Sequence, residues 1–127
     1  MDIAITLPRS LWDKIVSGEK TIELRKNTPQ EFNEKTDRVY VCLKATERVV
    51  GYFTILSFHP IAANFVTSYK DIVKKIAVQE QWINDYLKSS SWAVLWYIDE
   101  VVVFKGIGNH RSFYSIDKNP QSFIYLQ

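Results

Sequence analysis

Two long runs of β-branched and aromatic residues, "RVVGYFTILSFHP" (48–60) and "WAVLWYIDEVVVF" (92–104), constrain this chain most. Such side chains lose rotamer freedom in a helix and pack well on a pleated surface, so both runs predict long strands. Long strands need partners and cover, and the rest of the chain must supply them. "RVYVCLKA" (38–45) precedes the first run with only the polar "TE" between, which predicts a hairpin. Gly51 inside the first run predicts a bulge or a close backbone approach, and Asp99 with Glu100 predicts a bend in the second.

The shorter segments supply the cover. "DIAITL" alternates through Ile3, Ile5 and Leu7 as a half-buried strand, and Pro8 ends it. Leu11, Trp12, Ile15 and Val16 then recur at helical spacing, and Gly18 is the stop signal. "NTPQEFNEKTD" (27–37) reads as an exposed loop with room for one helical turn. Between Ser68 and Ser89, Ile72, Ile76, Ile83 and Leu87 keep one stripe, so this is a second helical region, in one or two pieces. "GIGNHRSFYSIDKNPQ" (106–121) is loop-like, and "SFIYL" (122–126) is a last short strand. Short strands dominate and the helices stand apart from them, which fits an α+β domain around a curled sheet or barrel. At 127 residues the chain suits one domain, residues 1–127.

Composition excludes several classes of function. A hydrophobic share of 46% and an aromatic share of 14% are too high for a disordered chain. The net charge of +2 permits an anionic partner but falls short of a strongly basic nucleic-acid footprint. Cys42 is the only cysteine and lies in an apolar run, so it reads as a buried small hydrophobe. With His59 and His110 far apart, no zinc-type cluster is expected, and no cofactor is implied. No apolar run approaches the roughly eighteen residues of a membrane span. The expected protein is intracellular, cytoplasmic and free of membrane contact.

The chemistry concentrates in "SGEKTIELRK" (17–26). In "TIELR" the two-residue period puts Ile22 and Leu24 on one face and Thr21, Glu23 and Arg25 on the other. Two readings are open. That face is an ordinary solvated one, or Lys20, Glu23 and Arg25 line a cleft in which Arg offers a planar fork for phosphate or carboxylate and Lys a point charge. Buried and unpaired, such charges would cost several kcal/mol each, so in a cleft they need one another or a ligand.

The run "LWDKIVSGEKTIELR" (11–25), with its G-x-K-T-x-E-x-R core, resembles the signature of the ASCH domain, a PUA-like family. "DRVYVCLKATERVVGYFTILSF" (37–58) is similar to that family's next two strands, and the later elements follow in the family's order. The resemblance implies a PUA-like small mixed β-barrel flanked by two or three helices, with a cleft beside the first helix, the G-x-K segment and the later helix. It further implies RNA or a nucleotide-like molecule as partner. Some ASCH-like enzymes are amidohydrolases that deacetylate 4-acetylcytidine with a Lys, a Thr and a Glu. By position the lysine matches Lys20 and the glutamate matches Glu80 in "AVQE", while Glu23 stands where the threonine is expected. If the chain is an enzyme, Lys20, Glu23 and Glu80 are its candidate catalytic residues. Thr21 is kept as a candidate ligand contact.

Other candidates are weaker. His110 and Arg111, interleaved with Phe113 and Tyr114, have the make-up of a phosphate contact beside stacking rings, although a solvated loop explains them as simply. Trp82, Trp92, Trp96 and Tyr97 read as core rather than as a stacking platform. The leading expectation is an RNA- or nucleotide-binding domain with Lys20, Thr21, Glu23, Arg25, His110 and Arg111 as contacts. Hydrolysis of an acylated nucleoside is the enzymatic alternative, and a protein-interaction module the third.

Overall fold

A computed structural model describes residues 1–46, 48–105 and 123–126. The predicted loop at 106–121, with His110 and Arg111, lies outside the described residues. The elements are β1 (Ile3–Leu7), α1 (Arg9–Ser17), β2 (Ile22–Arg25), β3 (Val39–Leu43), β4 (Val49–Ala62), a 3-10 helix (Ala63–Ser68), α2 (Lys70–Ile76), α3 (Glu80–Leu87), β5 (Trp92–Val103) and β6 (Phe123–Tyr125). The strands form one mixed sheet in the order β2-β5-β4-β3-β1-β6. Among the described residues only the β1–β3 pair is parallel. The sheet is a curled half-barrel with β2 and β6 at its edges, so the expected α+β fold is present and its barrel is open.

The two long runs do form the two long strands, and bulges curl them. Between Val41 and Cys42 the register slips, because Val41 pairs with Gly51 and Cys42 with Val49. Phe53 pairs with Val101 and Ile55 with Ile98, so three residues of β5 face two of β4 and the strand bends at Asp99 and Glu100. The Glu100 N–H freed from the ladder donates to Thr54 Oγ1 at 3.0 Å. Gly51 meets both expectations stated for it. It lies beside the bulge, and a β-carbon there would stand 2.2 Å from Val102 O and 2.8 Å from the Trp12 ring.

Side chains divide between the two faces. On the concave side Ile3, Ile5, Val39, Val41, Phe53, Ile55, Val94 and Trp96 pack with Trp12 and Ile15 of α1. On the other side of β2 and β5, Ile22, Leu24, Ala93 and Leu95 pack with Val66, Ile76, Ile83 and Leu87 from the helices. α1 ends as expected at Gly18, whose φ of 84° suits glycine. The second helical region is in two pieces because Ala77 takes a left-handed conformation at φ 62°. It is preceded by a 3-10 helix that the periodicity did not signal. The 27–37 loop holds no helix, and its Phe32 joins the core. Cys42 is buried. Of the four aromatic residues expected in the core, Trp96 is fully buried, whereas Trp82 and Trp92 are exposed.

Gly51→Ala forces a methyl group into the Val102 carbonyl and the Trp12 ring. We expect a loss of about 2–3 kcal/mol of stability. A urea titration of the two proteins measures it, and an unchanged midpoint would contradict the close approach.

Candidate functional site

Three charged residues are buried among the described residues, and all three come from the G-x-K-T-x-E-x-R segment: Lys20, Glu23 and Arg25, at 2%, 4% and 4% exposure. β2 is short and lies at the sheet edge, with Ile22 and Leu24 turned to the helices. Glu23 and Arg25 therefore point to the concave side, where their strand partners are Trp96 and Val94. The solvated-face reading is thus set aside.

The cluster is organised around Glu23. Its Oε2 accepts from Arg25 Nε and Arg25 Nη2, each at 2.8 Å, and its Oε1 faces Lys20 Nζ at 3.2 Å. Lys20 Nζ also donates to Ile22 O at 2.8 Å and Ile76 O at 2.9 Å, so its three protons have three acceptors. The Arg25 guanidinium lies 5.9 Å from the centroid of the Trp96 ring. Burial opposes the charge on Glu23, yet Arg25 and Lys20 outweigh it and hold the carboxyl below its ordinary value. For Lys20 burial prevails over the attraction of Glu23, and its pKa is lowered.

The cluster forms the floor of a cavity of about 290 Å³. Thr6, Leu7, Pro8 and Leu11 of the β1–α1 junction also line it, with Ile76, Val78, Trp82 and Tyr86 from the helical region and Lys44 from the β3–β4 turn. Trp82 and Tyr86 are one helical turn apart on α3, and their rings stack at 5.1 Å with 17° between planes. Lys26 Nζ lies 4.8 Å above the Tyr86 ring. Burial raises the Tyr86 pKa above its ordinary value. The cavity lining therefore combines a stacked aromatic pair with Arg25, Lys20 and one carboxylate. That arrangement suits a flat ligand with a polar edge.

The remaining sequence candidates fall elsewhere. Glu80 opens α3 and pairs through both oxygens with Lys70 Nζ at 3.2 Å on the exposed surface. It does not line the cavity. Thr21 is exposed and contributes its backbone: its N–H donates to Lys75 O at 2.9 Å and its C=O accepts from Ile98 N–H at 3.0 Å. Trp82 and Tyr86 were missed as site residues. Their signal was a Trp at i and a Tyr at i+4, off the Ile83–Leu87 stripe. Among the described residues no group of three His, Cys, Asp or Glu is placed to hold a metal, and no helix is long and apolar enough to cross a membrane.

The curled mixed sheet with its flanking helices is an α+β half-barrel. More narrowly, the chain has the fold of the ASCH domains. It is similar over 99% of its length to the crystal structure of ASCH from Zymomonas mobilis, with TM-score 0.78, 20% identity and 87% of that chain covered. A mutant form of the same protein gives TM-score 0.79 and 20% identity, again over 99% of this chain and over 90% of that one. A hypothetical protein of known structure is more distant, at TM-score 0.55 and 13% identity, over 78% of this chain and 97% of that chain. No family model matches the sequence, and no curated protein matches it significantly. The resemblance read from the G-x-K-T-x-E-x-R segment holds at the level of the fold.

Because the folded Glu23 pKa is depressed, its contribution to stability is complete above the ordinary value of 4.5 and is lost as pH falls through the folded value. Lys20 has the opposite role: between its lowered pKa and 10.5 the unfolded chain holds more protons, so stability rises with pH there. Glu23→Gln leaves two buried cations without their anion and is expected to cost about 3–5 kcal/mol at pH 7. Urea midpoints measured against pH check this. Wild type should lose stability below pH 4.5 and the variant should show a weaker acid limb.

Proposed function

We propose that this cavity binds an unpaired base of single-stranded RNA or a nucleotide-like ligand. One observation carries the reading: the stacked Trp82–Tyr86 pair and the buried Lys20–Glu23–Arg25 cluster line the same cavity of about 290 Å³. A base entering there stacks on the half-exposed Trp82 ring and offers its polar edge to Glu23 and Arg25, which Lys20 helps to hold in place. Lys44 at the rim and Lys26 above Tyr86 are placed for phosphate, which carries affinity without sequence information. The resemblance of the G-x-K-T-x-E-x-R segment to ASCH domains implies the same partner class.

Trp82 is exposed, so Trp82→Ala leaves the core intact. Base stacking is worth about 1–3 kcal/mol, and the variant should bind short single-stranded RNA about tenfold more weakly. Wild-type affinity should also fall with salt. Fluorescence titrations measure both effects. Affinities that stay in the high micromolar range at low salt, or that ignore Trp82, would remove the reading.

A second reading has its own observation: Lys20, with its pKa lowered, lies beside a carboxylate at the floor of a cavity. Hydrolysis of an acylated nucleoside would then rest on Lys20 and Glu23, with Glu80 taking no part. Incubation with 4-acetylcytidine tests it by chromatography. Release of cytidine that disappears in Glu23→Gln while circular dichroism shows the variant still folded supports the reading, and no release by wild type ends it.

A further inference from the structure

The carboxyl end of α2 is held by the segment that carries the buried cluster. α2 has seven residues and stops at Ala77, whose φ of 62° is strained for a residue with a β-carbon. The last carbonyls of a helix have no partner within it. Here three groups from the α1–β2 segment take them: Thr21 N–H on Lys75 O at 2.9 Å, Lys20 Nζ on Ile76 O at 2.9 Å, and Lys14 Nζ on Ala77 O at 2.8 Å. Two ammonium groups thus stand at the negative end of the helix dipole, one of them on the strained residue itself. They are neighbours because the chain turns at Gly18 and returns Lys20 N–H to Lys14 O at 3.0 Å.

Beyond Ala77 only Val78 and Gln79 separate this anchor from α3 and its Trp82–Tyr86 wall. Lys14 does not line the cavity. We propose that Lys14 is a positioning residue: by capping Ala77 it fixes the corner between α2 and α3, and so sets how well the aromatic wall receives a ligand that Lys14 never touches. The effect on affinity rests on the cavity being a base site, whereas the coupling of Lys14 to the wall does not. Lys14 also lies 3.8 Å from Glu19 Oε2, but that pair is exposed and its weight is small.

The test compares the full chain with Lys14→Met, Lys14→Arg and Glu19→Gln. Amide hydrogen exchange is followed in the free proteins, and affinity for a fluorescent ten-residue oligouridylate is titrated. In Lys14→Met, exchange over 77–87 should quicken about tenfold while the strands keep their protection, and binding should weaken about fivefold. Lys14→Arg should restore both to within about twofold, and Glu19→Gln should change neither. Unaltered exchange in Lys14→Met overturns the proposal, as does quickened exchange with unaltered affinity, or a Glu19→Gln variant that reproduces the effect. If wild type binds no RNA, the base-site reading falls instead, and the exchange rates alone decide the coupling.

Discussion

Glu23 is the interaction on which the rest of the site depends. A carboxylate at 4% exposure stays ionised only because Arg25 and Lys20 hold its two oxygens. Each of those cations in turn ties a different part of the fold. Arg25 reaches toward the Trp96 ring at the heart of the concave core, and Lys20 reaches over the edge of β2 to the end of α2. Among the described residues no buried side-chain nitrogen or oxygen lacks a hydrogen-bond partner. The cluster is therefore a set of polar groups fixed before any ligand arrives, which is the condition for selective binding at low entropic cost.

The sheet makes room for that cluster through its irregularities. A flat sheet of these strands would leave β1 and β2 separated by β5, β4 and β3, too far apart to share a cavity. Bulges at Val50 and at Asp99–Glu100 curl it until the end of β1 and the floor of β2 line the same space. Gly51 lets α1 settle into the concave side, since Trp12 occupies the volume that any β-carbon there would need. Trp12 and Trp96 then fill the concave core, and the polar groups of β2 line the space left at its edge.

What the sequence revealed was whatever local pattern controls. The strand and helix periods, the Gly18 stop and the bend at Asp99 follow from side-chain chemistry within a few residues. Lys20, Glu23 and Arg25 were legible as a group because strand alternation put two of them together and the turn supplied the third. Glu80 failed for a tertiary reason. Its position in "AVQE" fits the expected site, but the left-handed Ala77 breaks the helix and the corner swings Glu80 to Lys70. Trp82 was misjudged because a large ring was assumed to seek the core, while α3 already fills its inner stripe with Ile83 and Leu87. The 3-10 helix after β4 carries no period strong enough to distinguish it from the strand it follows.

The cluster is not what a stable fold alone would select. Replacing a buried ion pair or triad by apolar residues of similar volume is often neutral or stabilising, by about 1–4 kcal/mol. Lys20 shows the cost most directly, since burial lowers its pKa even with a carboxylate at 3.2 Å and two carbonyls in contact. A chain that can place Leu24 on one side of β2 has the means to place leucine on the other. That it keeps two cations and an anion there, in a cavity also lined by Trp82 and Tyr86, breaks a local rule at one place while the surrounding core obeys it. Such departures concentrate where a protein uses its surface for something other than holding itself together. Here the departure and the cavity coincide.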